Sequence, residues 1–421
     1  MDSIEFSYTM FLRKCFFAAM LWLFAFTGVY AQNTNSPYSR FGYGLLETPA
    51  LGMGKSMGGL GVGLRESQHI NPLNPASYAA VDTMNMLFDF GVSASYSRMK
   101  EGNAVQRNPN GGLDYAAMKF ALKRNWGVAL GLIPYSKVGY SYNIESNDDP
   151  NLTVYKSYAG TGGLNSLFLG TAYQLGSNLS VGLNYSYIFG TITQSSYSTA
   201  VLKETDETFN STNTTEYWYL NASNLELGVQ YAQALGAKQR LVAGLTFSEK
   251  MSMNNDIALV SIATDTVQDT QTSAFELPRS LGVGVSWIYD EKLTVGMDYR
   301  LQNWGDAAFH GSRDSLSNAS RFVLGASYLP SVMANHYYQA IQYRAGLSFT
   351  DSYSTFADEN LKQVALSLGL GLPLRNNRSM IHVSFEAGRN YIPSGSFISE
   401  NFYKLSLDVT FSESWFFKRK L

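Results

Sequence analysis

From about Met84 to the end of the chain, apolar and polar residues alternate with a period of two, the pattern of strands with one apolar face. Leu179, Val181, Leu183, Tyr185, Tyr187 and Phe189 alternate with Ser180, Gly182, Asn184, Ser186 and Ile188, of which only the last is apolar. Leu281, Val283, Val285 and Trp287 alternate with Gly282, Gly284 and Ser286; Leu366, Leu368, Leu370 and Leu372 with Ser367, Gly369 and Gly371. Near the end, Leu405, Leu407, Val409 and Phe411 alternate with Ser406, Asp408 and Thr410. A soluble sandwich would share this pattern with its apolar face turned inward, so alternation alone does not separate it from a membrane barrel.

Connection lengths do separate them. The pattern predicts about fourteen strands whose connections alternate short and long, as outer-membrane barrels require. Short turns are expected at Lys123-Arg124-Asn125, Gly176-Ser177-Asn178, Gly236-Ala237-Lys238, Tyr289-Asp290-Glu291 and Arg375-Asn376-Asn377. Longer outer connections are expected near 98–112, 146–162, 197–216, 252–274, 303–319, 350–360 and 390–400, and the connection near 330–338 breaks the rule. After residue 31 no apolar run reaches the ~18 residues of a helical span. The expected fold is therefore all-β, a transmembrane antiparallel barrel over residues 84–421, whose closure leaves no free edge in hydrocarbon.

Upstream lies a stretch with neither period, Gly52 to Ala80, rich in glycine and carrying Asn71-Pro72 and Asn74-Pro75. Glycines let a chain bend sharply against other backbone, and each X-Pro pair forces an extended or turn dipeptide. So irregular a segment is stable only when enclosed, so residues 32–83 are read as an N-terminal extension and a hatch folded into the barrel. The SPYSRFGYG lead-in is placed at the periplasmic side. Arg13 and Lys14 precede an apolar run from Cys15 to Val29, then Val29-Tyr30-Ala31, which reads as a signal peptide over residues 1–31, with Met10 as an alternative start. Roughly 15 apolar residues are too few for a membrane helix, which needs about 20. Cys15, the one cysteine, would leave with that signal, so no disulfide is expected.

Charged residues make up 15% of the chain and aromatic residues 14%, with 28 tyrosines, a balance suited to a barrel with aromatic girdles. The formal charge of -2 excludes a basic nucleic-acid face. Gly54-Lys55-Ser56 matches the end of a phosphate-binding loop, but Pro49 stands where that loop needs glycine. His69, His310, His336 and His382 show no metal-ligand spacing, and no GxSxG elbow accompanies the serines, so neither metal, cofactor nor enzymatic activity is expected. Glu226, Asp298, Arg300, Arg344, His382, Glu386 and Asp408 fall on polar strand faces. In a narrow interior such groups must pair with one another or with the hatch. Arg300 or Arg344 could alternatively hold a substrate carboxylate, since guanidinium binds carboxylates in bidentate fashion.

Gly58-Gly59-Leu60-Gly61-Val62-Gly63 followed by Asn74-Pro75-Ala76, ahead of about fourteen strands, resembles the long-chain fatty acid transporter family of outer-membrane proteins, the FadL and TodX type. The opening SPYSRFGYG and the ending Trp415 to Leu421 are similar to its Bacteroidota branch. The resemblance implies a plugged barrel in the outer membrane of a Gram-negative bacterium. It implies passive uptake of hydrophobic small molecules or fatty-acid-like lipids: capture by outer loops, an apolar pocket under the hatch, and sideways release at a break in the third strand. That strand, near Trp126 to Tyr142, contains Pro134, which cannot donate to the ladder. Pro134 marks either a bulge or gap of that kind, or a strand end where an outer turn begins. A PorV-like barrel that docks or shuttles cargo of a type IX secretion pathway, with secretion-apparatus proteins as partners, is the alternative. In the first reading the partners are outer-membrane lipid and a hydrophobic ligand, and the barrel is a monomer.

Overall fold

The computed structural model describes residues 35–414 apart from 84, 103, 206–207, 262–268, 272–273, 314–315, 357–358, 375–378 and 395–397. The expected signal peptide with Cys15, the turn at Arg375-Asn376-Asn377 and the ending Trp415 to Leu421 lie outside the described residues. Fourteen antiparallel strands form a closed barrel. They are β1 (Asn85–Glu101), β2 (Ala104–Lys123), β3 (Trp126–Ser146), β4 (Leu152–Leu175), β5 (Leu179–Leu202) and β6 (Thr208–Ala234). Strand β7 runs in two stretches, Gln239–Ser248 and Met251–Ser261, and β8 in three, Asp269–Gln271, Phe275–Leu277 and Arg279–Tyr289. The circuit continues through β9 (Leu293–Asn303), β10 (Ala319–Tyr328), β11 (Gln342–Phe356), β12 (Glu359–Pro373), β13 (Met380–Tyr391) and β14 (Ser399–Ser414). Closure comes from β14 on β1, in register from Ser399 opposite Lys100 to Ser414 opposite Asn85.

The alternation faces as a membrane requires. Leu183, Tyr185, Leu281, Val283, Leu366, Leu368, Leu405 and Leu407 are exposed on the outer surface, while Ser180, Asn184, Ser286, Ser367, Ser406 and Asp408 are buried inside. Trp126, Tyr173, Tyr231, Tyr289, Tyr328 and Tyr343 stand exposed close to the short turns, an aromatic girdle at that end. No described helix is long and apolar enough to cross a membrane.

Most of the expected long connections are not loops. Strands β4 and β5 are each 24 residues and β6 is 27, against 10 for β10. A tilted span needs only about 9–11. The surplus forms a raised wall, so that the connection expected over 197–216 shrinks to the few residues between Leu202 and Thr208. Above the membrane the outward positions turn polar, as at Thr191, Thr193, Ser195 and Thr199, while inward ones such as Ile192 and Trp218 are apolar, so the alternation expected of a lipid-facing strand disappears. Serine, threonine and tyrosine still favour the ladder there, and cross-strand hydroxyl pairs such as Thr199 with Ser211 (3.1 Å) and Ser195 with Thr215 (3.1 Å) support it. Among the described residues the outer connection from Asn303 to Ala319 remains long, with a turn of 3-10 helix at Trp304–Asp306.

Candidate functional site

Gly52 to Ala80 is buried for most of its length and is tied to inward-facing side chains of the wall. It begins as a single helical turn, Gly52–Ser56. Gly58 (φ +72°) and Gly59 (φ +90°) then turn it through a left-handed conformation open to glycine. Asp298 on β9 accepts the backbone N–H groups of Gly61, Val62 and Gly63 at 2.6, 2.7 and 3.2 Å. Gln230 donates to the carbonyls of Val62 (3.1 Å) and Leu64 (3.0 Å), and Ser286 donates to that of Gly63 (2.7 Å). The Lys119 ammonium donates to the carbonyls of Glu66, His69 and Ala80. His69 is itself buried. Burial, with Lys119 and Arg344 nearby, lowers its pKa to about 3, so it is neutral.

Asn74 caps the 3-10 turn Pro75–Ala79, accepting from the Ala76 amide at 3.0 Å while donating to the carbonyls of Val62 (2.9 Å) and Val229 (3.3 Å). Asn-Pro-Ala thus joins two passes of the segment to strand β6. The glycines of the facing strands do as much by having no side chain. A methyl group at Gly182 would meet the Pro75–Ala76 backbone, at Gly244 the Val62 carbonyl, and at Gly346 the Met57–Gly58 backbone. Of these wall glycines the sequence alternation marks only Gly182, as a small position between apolar ones. Their spacing carries no sign of what lies against them.

Several of the interior charges are brought together. Glu226 meets Arg300 at 2.8 Å. Lys55, the lysine of the Gly54-Lys55-Ser56 triplet, lies between Asp114 (2.6 Å) and Asp408 (3.0 Å) and over the Tyr115 ring (4.6 Å), so it faces carboxylates and an aromatic ring. Arg344 donates to His382 Nδ1 at 2.7 Å; because guanidinium only donates, the proton of His382 sits on Nε2 and is given to Thr410 at 3.1 Å. Glu386 has no ion pair within 4.0 Å among the described residues, and neither does Arg321, which donates to the Gly58 carbonyl (3.0 Å) and Thr350 (3.0 Å). Among the described residues no group of histidine and carboxylate side chains is arranged to hold a metal.

The wall has a seam. Pairing between β2 and β3 runs from Lys123 opposite Trp126 and stops at Ala116 opposite Leu132. Strand β3 does not end there. It continues to Ser146 against β4, with a bulge between Pro134 and Ser136. Residues 35–47 span the opening. Leu45 and Leu46 pair antiparallel with Lys137 and Ser136, the Glu47 amide donates to the Tyr135 carbonyl (3.0 Å), and Ser39 Oγ donates to the Gly139 carbonyl (2.9 Å). On the other side Asn35 bonds Asn110 (2.9 Å) and Asn108 (3.1 Å) of β2. Ser36 donates to Glu400 (2.7 Å), and Tyr38 to the Ile398 carbonyl. The lead-in therefore lies toward the outer end of the barrel, not the periplasmic side expected for it, because the inner segment climbs the lumen from Ala80 to reach the seam.

Behind the seam is a cavity of about 400 Å³. Leu45, Leu46, Ile133, Phe168 and Phe402 line it together with Lys55, Asp114, Arg300, Arg321, Glu386 and Lys404. The pocket is thus mixed in polarity and lies on the outer side of the Gly52–Ala80 segment, where the sequence suggested an apolar one beneath it. Tyr353 also lines it and packs on Trp304, which in turn meets Tyr43, with ring centroids 4.8 Å apart for Trp304–Tyr353 and 5.5 Å for Tyr43–Trp304.

A model of the BamG family matches residues 11–421. The chain belongs to the BamG family. No curated protein matches the sequence. Among solved structures, this BamG-family barrel is similar to a FadL homologue of Pseudomonas aeruginosa, with TM-score 0.57 and 11% identity over 88% of this chain and 99% of that one. It is similar also to the toluene transporter TodX of Pseudomonas putida (TM-score 0.54, 14% identity, 88% and 100% covered) and to the CymD monoaromatic hydrocarbon channel (0.52, 15%, 87% and 99%). At these identities the likeness is one of fold, and it agrees with the FadL-type barrel that the sequence resembles.

Proposed function

We propose that this protein sits as a monomer in the outer membrane of a Gram-negative bacterium and admits hydrophobic small molecules or fatty-acid-like lipids, passively and without cofactor or catalysis. The seam carries this reading: a wall unpaired above Leu132, bulged at Pro134 and backed by a cavity with an apolar and charged lining. Such a cavity suits an amphiphile: its apolar lining, Leu45 and Ile133 included, takes the tail, and its cations Arg321 and Lys404 take the polar head. In this scheme Gly52–Ala80 is the hatch, Gly58 to Gly63 and Asn74-Pro75-Ala76 hold it shut, and the interior ion pairs fix it in place. Molecules leave sideways past Pro134 once residues 35–47 give way. The hydrocarbon channels of the same fold support the reading, and no comparable observation favours cargo docking.

The test is a reversible lock. Leu46 and Ser136 are Cα partners in an antiparallel pair, whose Cα atoms lie about 4.5–5.5 Å apart, within disulfide range. Leu46→Cys with Ser136→Cys should abolish uptake of a labelled fatty acid and of toluene when oxidised, and restore it on reduction. Equal uptake in both states would show that the seam is not the path.

A further inference from the structure

The connection from β10 to β11, residues 329–341, is at the end of the short turns but is not short. It is ordered: the Ser331 amide donates to the Gln339 carbonyl (3.0 Å), and a helical turn, Tyr337–Ala340, is closed by a reciprocal His336–Gln339 cap. Yet its apolar side chains are open, with Met333 90%, Tyr337 and Tyr338 each 59%, and Val332 55% exposed. It contains no Asp, Glu, Lys or Arg, whereas other turns at this end carry Arg124, Lys238, Asp290 and Glu291.

Its position is fixed by two hydrogen bonds. Tyr343 is an outward residue of β11, exposed beside the buried, inward Arg344, and its hydroxyl donates to the Tyr338 carbonyl at 3.3 Å. Tyr337 reaches sideways to donate to the carbonyl of Pro373, the last residue of β12 (3.2 Å). A loop held by the tip of an outward side chain hangs outside the wall rather than beneath the lumen. There it adjoins the girdle residues Tyr328 and Tyr343. Strand β12 has no aromatic residue of its own, so Tyr337 stands where the girdle would otherwise be broken.

We infer that residues 329–341 form a foot that rests in the headgroup–acyl boundary of the inner leaflet, with Met333 and Val332 toward the acyl chains and the two tyrosines at headgroup level. Aromatic side chains favour that layer because their rings are apolar and their hydroxyls remain hydrated. An uncharged loop enters it without burying an ion. The occupant is the phospholipid surface, argued from continuity with the lipid-facing girdle. This goes beyond the proposed transport and does not depend on it.

The experiment uses the full chain in phosphatidylethanolamine nanodiscs, with Cys15→Ser and one nitroxide-labelled cysteine, Met333→Cys, or Ala237→Cys in a short turn for comparison. Collision with oxygen and with a nickel chelate is read by electron paramagnetic resonance. The Met333 label should show several-fold fewer nickel collisions and more oxygen collisions than the Ala237 label. Equal nickel access at both sites would place the loop in water. Protection from both reagents would mean a protein surface or a second copy covers it. Either result overturns the assignment.

Discussion

Replacing Asp298 by alanine should release the Gly58–Leu64 turn without opening the barrel. In the wild type one carboxylate, 5% exposed, receives amides from three consecutive residues at 2.6, 2.7 and 3.2 Å. Each hydrogen bond to a charged acceptor contributes about 1.5–3 kcal/mol, and the longest is at the low end. Burying the carboxylate offsets part of the sum, and its removal leaves buried amides without an acceptor at about 1–3 kcal/mol each, for a net cost of about 3–5 kcal/mol. At 1.4 kcal/mol per decade, that raises the population of displaced turn by about a hundred- to a few thousand-fold. Hydrogen exchange of the protein in detergent, read by mass spectrometry, measures it directly. Peptides covering residues 58–64 should exchange faster by that factor, while peptides from β12 to β14 should be unchanged, since their ladders do not involve Asp298. Wild-type exchange over 58–64 would refute the argument that this carboxylate holds the turn, and equal acceleration everywhere would show that Asp298 supports the whole barrel instead.

Gly244→Val, which sets a side chain against the Val62 carbonyl, should speed exchange in the same peptide, and normal protection there would mean the segment can shift at no cost. Glu226 and Arg300, paired at 2.8 Å and partly shielded, should show a coupling of about 0.5–3 kcal/mol in a Glu226→Gln, Arg300→Met double-mutant cycle of thermal unfolding; strict additivity would mean they act independently. Burial alone would raise the Glu47 carboxyl, but Lys137 (3.3 Å) and Lys404 (3.9 Å) outweigh it and hold it below the usual range. The stabilisation is therefore complete above the unfolded value of about 4.3 and is lost as pH falls through the lowered folded value. Labelling of Leu46→Cys by dithiodipyridine, a disulfide that still reacts with thiols in acid, measured relative to Ala237→Cys in an exposed turn, should rise only below about pH 4, whereas Leu46→Cys with Glu47→Gln should match the exposed site at every pH; a flat Leu46→Cys profile would remove Glu47 from the seam.

The barrel was legible because lipid and lumen impose opposite demands on adjacent residues. Leu366, Leu368 and Leu370 must meet hydrocarbon, and Ser367 and Gly369 between them must not. That demand ends at the membrane, which is why the upper halves of β4, β5 and β6 read as loops. Pro134 was legible as an interruption, but its complement, the two-residue pairing of Leu45 and Leu46, is too short to show any period. Asp298 could be placed on an inward face, yet its three amide partners lie more than two hundred positions away in the chain. Tyr43 looked like part of an aromatic lead-in; only the fold brings it to Trp304 and Tyr353 under the outer connections.

Within five residues, Tyr43, Leu45–Leu46 and Glu47 belong to different parts of the molecule: the aromatic cluster with Trp304, the seam and the charged cavity. If withdrawing Tyr43 also parts Leu46 from Ser136, a molecule that binds the outer face better with Tyr43 withdrawn favours the parted seam, and by reciprocity whatever parts the seam strengthens its binding by the same factor.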